Sequence, residues 1–148
     1  MKKKIFLWLL VILWMGLIFY FSSKDSIEST NQSQGIINKT NIVEISKNEN
    51  KEETLESMDR VLRKVAHTIE YFVLAVLVCL ALKEYDLNVF NIVLIAFIIC
   101  FIYSCTDELH QIYVPGRSGE IKDIFIDNIG CTVAYIIFYW RYYGKRCS

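Results

Sequence analysis

Net charge is the first thing this chain lacks. Its 16 lysines and arginines balance 16 aspartates and glutamates. No basic field therefore argues for a nucleic-acid partner. Proline occurs once and histidine twice. The five cysteines, Cys79, Cys100, Cys105, Cys131 and Cys147, show no CxxC spacing and mostly sit in apolar runs. They read as small buried hydrophobes, which argues against a disulfide framework or a thiolate metal site. No small-x-small cleavage site follows the first apolar run, so that run is not read as a removed signal peptide. There is no internal repeat and no low-complexity tract.

What the chain has is apolar length. Of its 148 residues, 54% are hydrophobic, too many for an ordinary small soluble domain. Three lysines precede IFLWLLVILWMGLIFYF, residues 5–21. About 20 apolar residues span a bilayer core, which makes this a transmembrane helix. Further spans are expected at about 65–82, 89–105 and 121–140. The connection 22–64 is polar, and Lys47 to Glu53 reads as a solvated turn. Leu55, Met58, Leu62 and Val65 recur at helical spacing and run on into the second span. The expected fold is a single all-α domain over 1–148, a polytopic four-transmembrane-helix bundle with a polar first loop.

Counting crossings places the polar residues. If the chain crosses at each span, span two begins where span one ends, and span three returns there to meet the start of span four. Lys64, His67 and Glu70 open span two. Asp107, Glu108, His110 and Gln111 follow span three. Arg117, Asp123, Asp127 and Asn128 precede or open span four. All then lie at one membrane face, where titratable groups set against membrane-length apolar runs raise a functional-site hypothesis. Lys2, Lys3, Lys4, Lys83, Arg141, Lys145 and Arg146 flank the other face. Arg60, Arg63, Lys64, Arg117 and Lys122 lie on the site's side, so the bias is not clean, but some of them are committed to the site. The positive-inside rule then favours a cytoplasmic second face with both termini, and a site and first loop outside.

At these residues the sequence resembles the VanZ-like family of bacterial membrane proteins. The matching elements are Phe21-Ser22-Ser23 and Arg63-Lys64-x-x-His67-x-x-Glu70-Tyr71. A longer string follows: Asp107-Glu108-x-His110-Gln111-x-x-x-Pro115-Gly116-Arg117, then Asp123-x-x-x-x-Asn128-x-Gly130. The likeness covers nearly the whole chain. It implies an integral membrane protein of the cell envelope, linked in the family's founding members to low-level resistance to glycopeptide antibiotics such as teicoplanin.

The residue types allow several chemistries. His67 and His110 can act as acid or base near neutral pH, with Glu70, Asp107, Glu108 or Asp123 orienting them or acting as base. Arg117 can clamp a phosphate or carboxylate with its planar fork, beside Lys64, Gln111, Asp127 and Asn128 as binding groups. The expected partner is a membrane lipid or a lipid-linked envelope precursor presenting such a headgroup. A structural alternative stands beside this: pairs such as Glu70 with Arg117, or Asp123 with Lys64, can simply hold helices together. A metal reading rests on His67-x-x-Glu70 and Asp107-x-x-His110, each with a carboxylate and an imidazole on one face. Arg117 and Lys64 oppose a cation there, so no metal and no cofactor is expected. Transport is disfavoured, because spans two to four are plainly apolar beyond the polar end. Enzyme and non-catalytic binder both stay open.

Overall fold

The computed structural model describes residues 2–23, 51–114 and 121–143, and every element in them is an α-helix: α1 (Lys2–Ser22), α2 (Lys51–Lys83), α3 (Val89–Gln111) and α4 (Ile121–Tyr143). Three of these, α1, α3 and the Val61–Lys83 part of α2, are long and apolar enough to cross a membrane, by length and composition. α4 matches α3 at 23 residues but opens on Lys122, Asp123 and Asp127. Its outer face is nevertheless apolar, with Phe125, Ile129, Val133, Ile136 and Trp140 exposed, as expected of a surface turned to lipid.

Two boundaries differ from the sequence reading. The expected turn over Lys47 to Glu53 gives way to helix from Lys51 onward, and residues 47–50 lie outside the described part. At 33 residues, α2 is about 50 Å long, against roughly 30 Å of hydrocarbon. It therefore outruns the bilayer, which is why its first turns can be as polar as a loop. α3 continues six residues past the expected end of span three and carries Asp107, Glu108, His110 and Gln111 as helix. The expected polar first loop falls mainly on residues 24–50, outside the described part.

α2 is the hub, packing against all three other helices and most extensively against α4. Its buried stripe, Tyr71, Leu74, Ala75, Val78, Cys79 and Leu82, has helical spacing. α4 answers with Asp127, Cys131, Ala134, Tyr135 and Phe138. Lipid tails are as apolar as leucine, so burial alone does not drive such helices together. Close backbone approach and interhelical hydrogen bonds do. Gly130 supplies the close approach. A Cβ there would collide with the carbonyl oxygen of Thr68 and lie 3.1 Å from its carbonyl carbon and 3.2 Å from the Phe72 amide nitrogen.

α1 is joined differently. Only Val11, Ile18 and Ser22 of it are buried. It is tied by Trp14 Nε1 donating to the Glu70 carbonyl at 2.9 Å and by Tyr103 Oη donating to the Met15 carbonyl at 2.5 Å. At one end of the bundle Lys3 Nζ donates to Glu84 Oε1 at 2.6 Å and Trp8 Nε1 to Tyr85 Oη at 3.2 Å. The Lys3 hydrogen bond, helped by nearby lysines, holds the Glu84 carboxyl below its ordinary range. Lys4 and Lys83 sit over the rings of Tyr85 and Tyr142, at 4.3 and 4.2 Å. This end is thus closed by exposed cations and aromatics.

Gly130→Ala should destabilise the bundle by about 1–3 kcal/mol, since the added methyl meets backbone that cannot rotate away. Gly16→Ala should be close to neutral, because nothing lies within 4 Å of its Cβ position. Reversible unfolding in detergent measures both. Tyr103→Phe should loosen α1 by about 0.6–1.7 kcal/mol, the range for interhelical hydrogen bonds in membranes. The same unfolding assay reads that loss.

Candidate functional site

The other end of the bundle is polar and partly buried. One face of α3 shows the change along its length. Ile92, Ala96 and Cys100 are buried and apolar, and the same stripe continues as Ser104, Asp107, Glu108 and Gln111, still buried but polar. The last four stand at i, i+3, i+4 and i+7, a single helical face. A carboxylate buried in this way requires donors or a counter-charge.

Asp107 is 1% exposed, and its Oδ2 accepts from Gln111 Nε2 at 3.2 Å. Its Oδ1 is buried without a hydrogen-bond partner. Opposite it, Asp127 of α4 is 3% exposed and accepts from Ser104 Oγ at 3.4 Å, a long bond. Asp107, Glu108 and Asp123 are the charged neighbours of Asp127. Tyr71, entering from α2, is fully buried, and its hydroxyl has both Asp107 and Asp127 as charged neighbours. That hydroxyl is also without a partner of good geometry, as is Ser22 Oγ at the end of α1.

Around this centre the remaining predicted residues divide. Lys64 Nζ and Asp123 Oδ1 form an ion pair at 2.5 Å, half-buried, joining α2 to α4. It is one of the two structural pairs expected from the sequence. The other pair, Glu70 with Arg117, falls outside the described residues, as do all expectations placed on Arg117. His67 Nδ1 lies 3.4 Å from Glu70 Oε2, one helical turn apart on α2. His110 turns toward α1, where its Nε2 is 3.1 Å from Ser23 Oγ and its ring stacks on Phe19 at 4.1 Å. Asn128 Nδ2 donates back to the Ile124 carbonyl at 2.7 Å on its own helix.

The structure thus gathers Asp107, Glu108, Gln111 and Asp127 along one seam. Lys64 with Asp123, and His67 with Glu70, form separate pairs beside it, and His110 is a bridge to α1. Among the described residues, no group of three or more His, Cys, Asp and Glu side chains is placed to hold a metal ion. Ser104, expected among the polar residues at the end of span three, lies in the seam, and two contributors, Tyr71 and Ser23, were not predicted as site residues. Ser104 precedes Asp107 by three residues and so shares its face. Tyr71 was findable as the neighbour of Glu70, one turn below His67.

Chemically the seam is an acceptor-rich cluster of acidic side chains. Among the described residues its donors are one serine hydroxyl, one glutamine amide and one tyrosine hydroxyl, and carboxylates only accept when ionised. Comparison with curated proteins and with solved structures finds no match. A family comparison does, over residues 6–142, which hold all four helices almost entire. The chain belongs to the VanZ/LLP1 family of membrane proteins.

Proposed function

We propose that this chain acts at the cell envelope as a multi-pass protein of the cell membrane, with its polar seam at the outer face binding the headgroup of a lipid or lipid-linked wall precursor. Through that binding it lowers susceptibility to glycopeptides of the teicoplanin type. The observation that carries the reading is the open valence of the seam. A network that only held helices together would close on itself, as the Lys64–Asp123 pair does. Here Asp107 Oδ1 and the Tyr71 hydroxyl are buried and unsatisfied, which suits a group that arrives from outside.

Orientation follows from charge. Lys2, Lys3, Lys4, Lys83 and Arg141 cluster at the end away from the seam, which supports a cytoplasmic location for that end and for both termini. The seam end also carries cations, but Lys64 is committed to Asp123 and adds little to the topogenic balance. The Lys64–Asp123 pair favours a structural duty for those two members, while the seam itself keeps the binding role.

Two measurements test this. Expression in a susceptible bacterium should raise the teicoplanin concentration that stops growth. Asp107→Asn and Asp127→Asn should return it to the value of empty vector while the protein stays in the membrane. Wild-type behaviour in both variants would refute the seam as the site. For orientation, Ser23→Cys in a background with Cys105→Ser and Cys147→Ser should react with an impermeant maleimide in intact cells, and Asp86→Cys should not. The reverse pattern would turn the molecule over.

A further inference from the structure

The seam has a sign and a valence, and together they specify the group that fits it. Asp107 and Asp127 approach from α3 and α4, and the Tyr71 hydroxyl from α2. All three residues are at least nine-tenths buried. Asp107 keeps one oxygen with no donor, Asp127 has one long bond, and the Tyr71 oxygen has none of good geometry. Lys64, a cation close at hand, is held by Asp123 at 2.5 Å. Among the described residues of the seam, acceptors therefore outnumber donors and acidic side chains outnumber basic ones. An anion such as phosphate would add to both imbalances. A group that carries positive charge and several N–H donors relieves both at once.

We propose that Asp107, Asp127 and Tyr71 form a seat for a primary ammonium group, carried by a membrane lipid headgroup. This rests on the reading that the seam handles a headgroup. An ammonium has three donors and no acceptor, matching three under-satisfied oxygens contributed by three helices. A bare metal ion fits less well, since no group of three or more His, Cys, Asp and Glu side chains among the described residues is placed to hold one. A quaternary ammonium fits less well again. It has no N–H and is recognised by open aromatic faces. The Tyr71 ring is already packed near the rings of His67 and Tyr103, with centroids at 6.4 and 6.1 Å. Depth also agrees. Asp107 lies one turn inside the end of α3 and Asp127 two turns inside the start of α4, so the seat is near the helix ends rather than at mid-span.

The test uses the full chain in nanodiscs of phosphatidylcholine, to which phosphatidylethanolamine or phosphatidylglycerol is added at equal mole fraction. Retained lipid is read by native mass spectrometry and heat resistance by thermal unfolding. Phosphatidylethanolamine should be retained and should raise the unfolding temperature, with the other two lipids well behind. Asp107→Asn and Asp127→Asn should each weaken that retention by about tenfold or more, the effect of losing a charge-assisted hydrogen bond. Without ethanolamine lipid, Asp107→Asn should unfold at the wild-type temperature or above, because a neutral amide replaces an under-satisfied buried charge. A merely structural carboxylate would instead give a less stable protein. Free ethanolamine acting in phosphatidylcholine discs, where the ethanolamine lipid does not, would keep the ammonium seat and assign it to a soluble amine. Equal retention of phosphatidylglycerol, unaffected by Asp107→Asn, would overturn the ammonium seat and leave headgroup binding standing. No headgroup preference of any kind would overturn both.

Discussion

Everything in this bundle is arranged around carboxylates that lipid cannot hydrate. A hydrocarbon environment offers no hydrogen-bond partners, so each polar group that enters it must be satisfied by protein, by water or by a ligand. Asp107 and Asp127 are almost fully covered, yet each is only partly satisfied by the described residues. The helices that cover them therefore have to be held tightly by something other than those acids. Gly130 does this from α4 by admitting the Thr68 carbonyl of α2, and the Cys131 thiol adds a bond to the Tyr71 carbonyl at 3.4 Å in the next turn. This close backbone approach at Gly130 lies within a turn of Asp127.

The two ends of the molecule solve the membrane boundary in opposite ways. At the lysine-rich end, cations rest on the rings of Tyr85 and Tyr142 or pair with Glu84 near the surface, where water screens them and each pair contributes little. At the other end the charges turn inward. The zero net charge of the whole chain hides this asymmetry. The sum describes neither end, because one is cationic and aromatic while the seam at the other is acidic.

Much of the fold was legible because membrane crossing is a strong constraint. Four helical lengths and alternating direction were enough to put Lys64, Asp107, Asp123 and Asp127 at one end. Spacing also contained the Ser104–Asp107–Glu108–Gln111 face. The pairing of individual side chains was not legible, for a physical reason. In a water-soluble helix the apolar stripe marks the inward face. In α1, lipid and protein neighbours are equally apolar, and no stripe marks how the helix is rotated. That rotation decides whether Ser23 and Phe19 meet His110, and nothing in IFLWLLVILWMGLIFYF encodes it. The length of α2 was hidden for a related reason: beyond the bilayer a helix may be as polar as a turn, and Lys51 to Glu53 read as either.

The separation of the two histidines bears on mechanism. His67 stays beside Glu70 on α2, while His110 is held by Ser23 and Phe19 of α1. An acid–base pair working on one substrate needs both groups within reach of the same atoms. The seam brings carboxylates and a tyrosine together, and the His67 ring lies 6.4 Å from the ring of that tyrosine. What it offers a ligand is charge, depth and three helices' worth of acceptors, which are the attributes of recognition. The imidazole nearest the surface instead fastens α1 to the end of α3, so that the first helix, otherwise held by few buried side chains, closes the polar end of the bundle.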